Sequence, residues 1–291
     1  KTKYASPDEI DGAYRVLLSL LPLKEKHKSN LLSRGMSAKG IEDGLYRSIP
    51  ENKEEMYALM QKLSDMNIKL DGVPGFYKKG NSYRISLPGL YDKNTKTFFY
   101  GSGFFVPSFG RNGKIFSMQI RMDDTYLSRF PAKQAKRRRY IWFTSSGYDS
   151  GCQAINRATY GVVDGTPRNT GNVVYVTEGA LKAQVAHDID HKHRQFCAIS
   201  GIANSEAFRK FVRTQKKAGC KILVDAFDMD RNEKDTVKNA IDKLYAIAEE
   251  EGLPLQPFAW DERFKGIDDY LLHCRDERIQ QQIIMEICKT A

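Results

Sequence analysis

Cysteine is scarce: five residues in 291, Cys152, Cys197, Cys220, Cys274 and Cys288, are scattered and never spaced as C-x-x-C. An odd, unclustered set argues against both a disulfide framework and a structural zinc site, and it fits a reducing cytoplasm. Long apolar runs are missing too. No stretch approaches the ~20 residues that span a bilayer, and there is no basic-then-apolar leader, so nothing marks the chain for secretion or a membrane. The pattern G-x-x-x-x-G-K-S/T does not occur; Gly101-Ser102-Gly103 and Gly201 are turn glycines, which argues against an intrinsic P-loop motor. Heptads, repeats and low-complexity tracts are absent, and nothing specifies a dimer. The chain opens at Lys1 without a methionine, so the expectation is a fragment whose upstream partner module, such as a zinc ribbon or a helicase, is out of view.

Acidic residues are in short supply in one half only. Residues 1–165 carry 27 Lys and Arg against 16 Asp and Glu, a net +11, whereas residues 166–291 carry 19 against 20, a net −1. A basic half suits direct contact with a polyanion's phosphates, and an acidic half needs cations to meet the same polyanion. With 41% hydrophobic residues the chain can bury one large core or two smaller ones.

Residues 1 to 69 read as helical. Pro7-Asp8-Glu9 opens a segment with Ile10, Tyr14, Leu17, Leu18 and Leu21 at helical spacing, closed by Pro22. A short helix from Ser29 to Arg34, a turn at Gly35, Ser37 as N-cap of Ala38 to Gly44, and a helix from Lys53 to Met66 follow. Helices joined at Gly35 admit a helix-turn-helix reading; an accessory helical layer is the simpler one.

Residues 70 to 165 change to short β runs at Arg84 to Pro88, Thr97 to Tyr100, Gly103 to Pro107, Lys114 to Met122 and Arg139 to Thr144, separated by Gly, Pro and Asn. The densest charge run, Lys133-Gln134-Ala135-Lys136-Arg137-Arg138-Arg139, lies between two of them. A solvated loop is the ordinary explanation for such a run. Here it abuts Tyr140, Trp142 and Tyr148, and cations beside aromatic faces suit the phosphates and bases of a single strand, so nucleic acid contact is preferred.

Beyond residue 165, strands Asn172 to Thr177, Gln195 to Ile199, Lys221 to Ala226 and Leu255 to Trp260 alternate with helices Ala180 to Ile189, Ser205 to Lys217 and Asp235 to Gly252. The series predicts a parallel sheet covered on both faces, closed by a helix from Arg275 to Cys288. Acids follow two of the strands: Glu178 after the first, Asp228 and Asp230 after the third. Ligands bind open α/β sheets at that edge, because loops there aim side chains into one crevice. A D-x-D pair with a glutamate from a neighbouring strand can give one or two Mg²⁺ the few protein oxygens they need, phosphates and water supplying the rest. The competing structural reading is that acids near helix N-termini only complement the dipole. A third feature, Lys265-Gly266-Ile267-Asp268-Asp269 after the last strand, weighs for a site. His187, His191 and His193, with Asp188 and Asp190, have the density of a zinc or copper site but read as a solvated connection.

These stretches resemble the Toprim domain shared by primases, topoisomerases and some nucleases. Thr177-Glu178-Gly179-Ala180-Leu181-Lys182-Ala183, Ala226-Phe227-Asp228-Met229-Asp230 and Lys265 to Asp269 are most similar to primase-like Toprim proteins of plasmids, phages and integrative elements, over Asn172 to His273. More loosely, Phe104-Phe105-Val106-Pro107, Gly113 to Arg121 and Arg139 to Ser145 resemble the N-terminal subdomain of bacterial replicative primase cores, which helps hold template and nucleotide.

Together the resemblances imply an α/β class, α+β overall. A Toprim-type parallel sheet with helices on both faces and a C-terminal helix would fill 166–291, after a basic β-rich subdomain at 70–165 and a helical segment at 1–69. They imply a primase-type nucleotidyltransferase with Mg²⁺ or Mn²⁺ held by Glu178, Asp228 and Asp230. Asp268 and Asp269 would form a supplementary metal-side or positioning pair, Lys265 would reach a phosphate, and Glu178 would double as acid or base. Arg121, Lys133, Lys136, Arg137, Arg138, Arg139, Tyr140 and Trp142 would meet template or incoming nucleotide. The implied partners are single-stranded DNA, NTPs or dNTPs, and a helicase or another replication protein.

One departure stands out. The replicative pattern is E-G-x-x-D, and this chain has Glu178-Gly179-Ala180-Leu181-Lys182, a basic group where an acid is expected one helical turn into the site. Lys182 matches the mobile-element group. A metal-dependent nuclease and a catalytically silent nucleic-acid-binding module are the alternatives.

Overall fold

The computed structural model describes residues 3–168, 172–229 and 235–290. The chain divides into two compact units, one of Lys1–Ser29, Gly44–Gly110 and Lys114–Ile155, the other of Asn30–Asp43, Arg111–Gly113 and Asn156–Ala291.

Along the chain, α1 (Pro7–Ser19), α2 (Glu25–Ser33) and α3 (Ala38–Asp43) come first, then β1 (Arg47–Ser48) and α4 (Lys53–Asp65). Two hairpins follow, β2 (Phe76–Lys79) with β3 (Ser82–Ile85) and β4 (Gly89–Asp92) with β5 (Thr97–Tyr100). Next are β6 (Gly103–Phe109), β7 (Ile115–Met122), α5 (Asp124–Leu127), α6 (Ala132–Arg138) and β8 (Tyr140–Trp142).

In the first unit, α1 starts where a capping box dictates. Ser6 Oγ accepts from the Glu9 amide, Glu9 answers by accepting from the Ser6 amide at 2.8 Å, and Pro7 needs no amide partner. Its apolar stripe, Ile10, Ala13, Tyr14, Leu17 and Leu18, is buried. The helix packs on the antiparallel sheet β1-β6-β7-β8, where Phe104, Phe105 and Phe143 are fully buried. The buried Tyr14 hydroxyl donates to the Pro74 carbonyl at 3.0 Å, which offsets its desolvation.

Three expectations change here. The run Lys133 to Arg138, for which the strand pattern predicts no element, forms most of α6; after Pro131, a stretch of Ala, Lys, Gln and Arg has strong helix propensity. The strand expected over Arg139 to Thr144 is only Tyr140–Trp142. Strands β2 and β4 are too short and too polar to announce themselves; each pairs only within its own hairpin.

The second unit contains β9 (Thr159–Tyr160), β10 (Val173–Glu178), α7 (Ala180–Ile189), β11 (Gln195–Ile199), α8 (Ser205–Lys217) and β12 (Ile222–Asp225), followed by α9 (Asp235–Glu250), β13 (Leu255–Pro257) and α10 (Ile267–Thr290). Its sheet runs β13-β12-β10-β11-β9, parallel except for the antiparallel edge strand β9. Alternation along the strands divides the core. Val174, Val176, Cys197, Ile199 and Leu223 pack with Phe208, Phe211 and Val212 of α8 and Ile241 and Leu244 of α9. Helix α7 covers β10 and β11 and packs against α10.

The segment Asn30–Asp43 around Gly35, which holds the end of α2 and all of α3, belongs to this unit. Arg275 Nη1 donates to the Gly35 carbonyl at 2.6 Å, and Ser37 binds the Asp188 carboxylate through its amide at 2.6 Å and its hydroxyl at 2.9 Å. The closing helix begins at Ile267 rather than near Arg275, because buried Ile267 and Leu271 anchor its first turn and Asp268 and Asp269 complement its dipole. Among the described residues, no helix is long and apolar enough to cross a membrane.

His191 and His193 are exposed in the connection between α7 and β11, but His187 is not part of that solvated stretch. His187 lies fully buried on α7, its Nδ1 accepting from the Phe196 amide at 3.4 Å and its Nε2 without a partner among the described residues. Burial, with a smaller push from the Arg168 charge, drives the imidazole down to about 3 from 6.5. The native state therefore keeps His187 neutral while the unfolded chain protonates it below pH 6.5, so stability present above that pH is lost as pH falls toward 3. About 2 kcal/mol should be gone by about pH 5. Urea midpoints of the parent and of His187→Leu at neutral and mildly acid pH check this: the variant should lose less on acidification, and equal losses would rule out His187 as the source.

Candidate functional site

Parallel registry puts the two acid-bearing strands side by side. Val176 of β10 pairs with Asp225 of β12, and the Ala226 amide donates to the Val176 carbonyl at 2.8 Å. Two residues on, Glu178 closes β10; just past β12 comes Asp228, so both acids leave adjacent strands at the same edge of the sheet. Gly179, with φ 88°, turns the chain out of β10 and into α7, a conformation that favours glycine. The opening of α10 arrives at the same edge, where the Met229 amide donates to the Lys265 carbonyl at 2.9 Å.

Lysines converge on Asp228. Lys182 on α7 forms an ion pair with Asp228 Oδ1, both side chains being 19% exposed. Lys265 Nζ stands 3.9 Å from Asp228 Oδ2 and is well exposed. Lys182 is thus not a solvated lysine; it reaches across to the neighbouring strand end. Gly266 makes room for this, since a Cβ there would strike Asp268 Oδ1 and come within 3.2 Å of Lys182 Nζ.

The two acids of α10 differ. Asp269 is exposed, whereas Asp268 is 6% exposed and its Oδ1 has no partner among the described residues. Burial raises the Asp268 carboxyl above its ordinary range, against the opposing pull of Lys182. Asp230 lies outside the described residues. The donor set can serve a hard cation, with carboxylate oxygens at one strand edge and, beside them, a buried carboxylate oxygen that has no partner among the described residues; Lys182 and Lys265 stand against Asp228 and would have to yield to the metal.

In the first unit, α6 exposes Lys133, Lys136, Arg137 and Arg138, with Arg139 exposed at its end. Arg139 pairs with Asp124 at 3.0 Å, and Arg138 lies over the Phe130 ring at 4.6 Å. Tyr140 is 37% exposed and Trp142 half-buried. Arg121 is 6% exposed, packs over Phe104 and leaves Nε without a partner among the described residues, so it is mostly held inside the sheet.

Sequence spacing did not reveal a partly buried cluster in this unit. His27, Glu51 and Asp123 bring ligand atoms within 4.8 Å of one another, but a cation of the chain already sits there. Lys26 Nζ is 2.6 Å from Glu51 and 3.0 Å from Asp123, and Lys24 reaches Glu51 at 3.0 Å. Burial alone would raise the Asp123 carboxyl; hydrogen bonds from His27, Ser102 and Lys26 hold it far below the usual carboxylate range. His27 and Asp123 stand 96 positions apart, which hides the pairing from any local pattern.

A family model described as a domain of unknown function (DUF3854) matches residues 168–277. No curated protein matches the chain. Among solved structures, the chain is similar to the zinc-binding and RNA polymerase domains of the Aquifex aeolicus primase, at 13% identity and a TM-score of 0.62. That alignment covers 97% of this chain and 62% of the other, so the chain spans less than two thirds of its length. It is similar also to the RNA polymerase domain of Mycobacterium tuberculosis primase DnaG, in complex with a double-stranded DNA oligomer with an overhang, at 14% identity, TM-score 0.61, covering 97% and 81%. A third is a DnaG primase catalytic domain bound to ssDNA, at 11% identity, TM-score 0.57, covering 94% and 78%. At these identities the likeness is one of fold: the chain has the mixed α+β fold of bacterial primase catalytic cores.

Proposed function

We propose that this chain is the core of a primase-type nucleotidyltransferase from a mobile-element replication protein, with a Toprim-type site that takes Mg²⁺ or Mn²⁺. The observation that carries the reading is the edge where Glu178, Asp228 and the Lys265 to Asp269 turn come together, in a fold shared with primase cores. Glu178, Asp228 and Asp230 would hold the metal, with Asp268 beside them. A bound divalent ion would neutralise phosphate charge during transfer, so catalysis is positioning plus electrostatics. Lys265, exposed, is suited to a phosphate. Lys182 is suited to hold Asp228 in place and to screen its charge until nucleotide arrives. The basic first unit would bind single-stranded template, and a helicase or another replication protein is the further partner. Primer synthesis on a mixed-sequence single strand, with labelled NTPs and dNTPs in parallel, tests the reading; absence of product with both sets overturns it.

The Lys182–Asp228 ion pair also favours a second reading, a catalytically silent binding module, because an ammonium of the chain already neutralises that carboxylate. Two variants separate the readings. Lys182→Ala should leave the fold intact and weaken nucleotide binding in the presence of metal on the order of tenfold, by loss of one charge-assisted contact. Lys182→Asp should tighten metal binding, since it adds a hard oxygen donor beside Asp228. Calorimetric titrations in which both variants match the parent for metal and for nucleotide would leave Lys182 a purely structural ion pair.

A further inference from the structure

The hairpin β4–β5 stands outside both larger sheets and is built with two unlike faces. Residues in register and two apart along a strand share a face, so Tyr91, Phe98, Gly89 and Tyr100 lie on one side and Leu90 and Phe99 on the other. The second side is anchored: the Arg129 guanidinium lies over the Phe99 ring, 4.1 Å from its centroid. The first side is open. Tyr91 is 55% and Phe98 49% exposed, among the most exposed large side chains of the unit. Gly89 keeps the surface flat, because a Cβ there would run into the Phe98 ring, which meets Tyr100 edge-on at 4.8 Å.

Leaving two rings half in water forfeits burial that folding would otherwise use, so such a surface calls for an occupant. Charge indicates which. The hairpin tip carries exposed Lys93 and Lys96, which among the described residues pair with no carboxylate. Its one acid, Asp92, is spent on the turn, accepting from the Asn94 amide at 2.8 Å and the Thr95 amide at 3.4 Å. The anchored side leads toward the basic helix. Arg129 on Phe99 is followed in the chain by Phe130, and Phe130 lies beneath Arg138 of α6. Two exposed rings with two lysines at the hairpin tip, and no exposed aliphatic side chain on the open face, match stacked bases with phosphates alongside.

We infer that the open face of β4–β5 is a base-stacking platform for single-stranded nucleic acid, with Tyr91 and Phe98 as the stacking rings and Lys93 and Lys96 as phosphate contacts. This rests on the single-strand binding proposed above and adds a second, sequence-tolerant point of contact to it. Stacking on an aromatic ring does not depend on which base is presented, so the platform would grip any strand.

The test is a titration of the full chain with a fluorescently labelled mixed-sequence single strand across a salt series. Tyr91→Ala/Phe98→Ala should raise Kd on the order of tenfold or more with the salt slope unchanged, because rings are lost and no cation is. Tyr91→Leu/Phe98→Leu, which keeps an apolar surface but no flat ring, should behave the same way. Lys93→Ala/Lys96→Ala should instead flatten the slope by about 1.4, the value for two phosphates on a single strand. Thermal midpoints equal to the parent's would show that the exposed positions leave the fold alone. A parent that binds the strand, with both ring variants matching it, overturns the platform and leaves the proposed function standing. A leucine variant that binds as the parent does while the alanine variant fails also overturns it, since the face would then be an apolar docking surface. A parent that binds no single strand overturns both.

Discussion

Asp228→Asn is expected to lower affinity for Mg²⁺ or Mn²⁺ on the order of 100-fold and to abolish primer synthesis. Hard divalent cations are held by anionic oxygens, and the amide presents a neutral oxygen to a site with few protein donors. Loss of a hydrogen-bonding group one step removed from a metal costs 10–100-fold as a rough rule, so loss of a direct carboxylate should cost at least the upper end. The exchange is nearly isosteric and Asp228 lies on the rim of the sheet, not in its apolar core, so the fold should persist. It also frees Lys182 and Lys265 from their carboxylate. Metal titration by calorimetry, with the unfolding midpoint measured in parallel, checks the outcome. Unchanged metal affinity in a folded variant would end the assignment of Asp228 as a ligand.

The second large effect belongs to α6. Changing Lys136, Arg137, Arg138 and Arg139 together to Ala should weaken single-strand binding on every sequence and flatten its dependence on salt. Each phosphate neutralised on a single strand contributes about 0.7 to the slope of log K against log salt, so four contacts would remove about 3. Arg139 already pairs with Asp124 and Arg138 rests on Phe130, so a loss nearer about 2 would mean that only some of the four reach phosphate. Lys133, Lys136 and Arg137 fall three and four positions apart, on one face of the helix. Alanine is the best helix former, so the variant keeps its helix. Equal slopes for variant and parent would reduce the run to a solvated surface.

How far residues alone reach is clearest in the second unit. The ranges Ala180 to Ile189 and Ser205 to Lys217 follow from their place between apolar strands; α8 is amphipathic with its own start signal, Asn204 accepting from the Ala207 amide at 3.1 Å, whereas α7 starts at Gly179 and is buried over most of its surface. The acids after two strands were legible for the same reason, being a local pattern of strand, carboxylate and helix.

What escaped had partners far along the chain. Spacing offered Lys182 the glutamate four residues before it, yet its ammonium meets Asp228, 46 positions away, since parallel pairing of β10 with β12 brings that strand end alongside. His187 looked like one member of a polar cluster, but packing of α7 on β11 turns it inward against Phe196 while Asp190 is taken by Arg194 at 2.5 Å. Strand β4 has no apolar run to mark it, and only pairing with β5 makes it a strand and puts Tyr91 beside Phe98. Local chemistry chose the elements with strong periodicity and the residue types at the candidate site. Register and packing, which depend on contacts between distant segments, decided which carboxylate each cation meets, which histidine is dry and which rings face water.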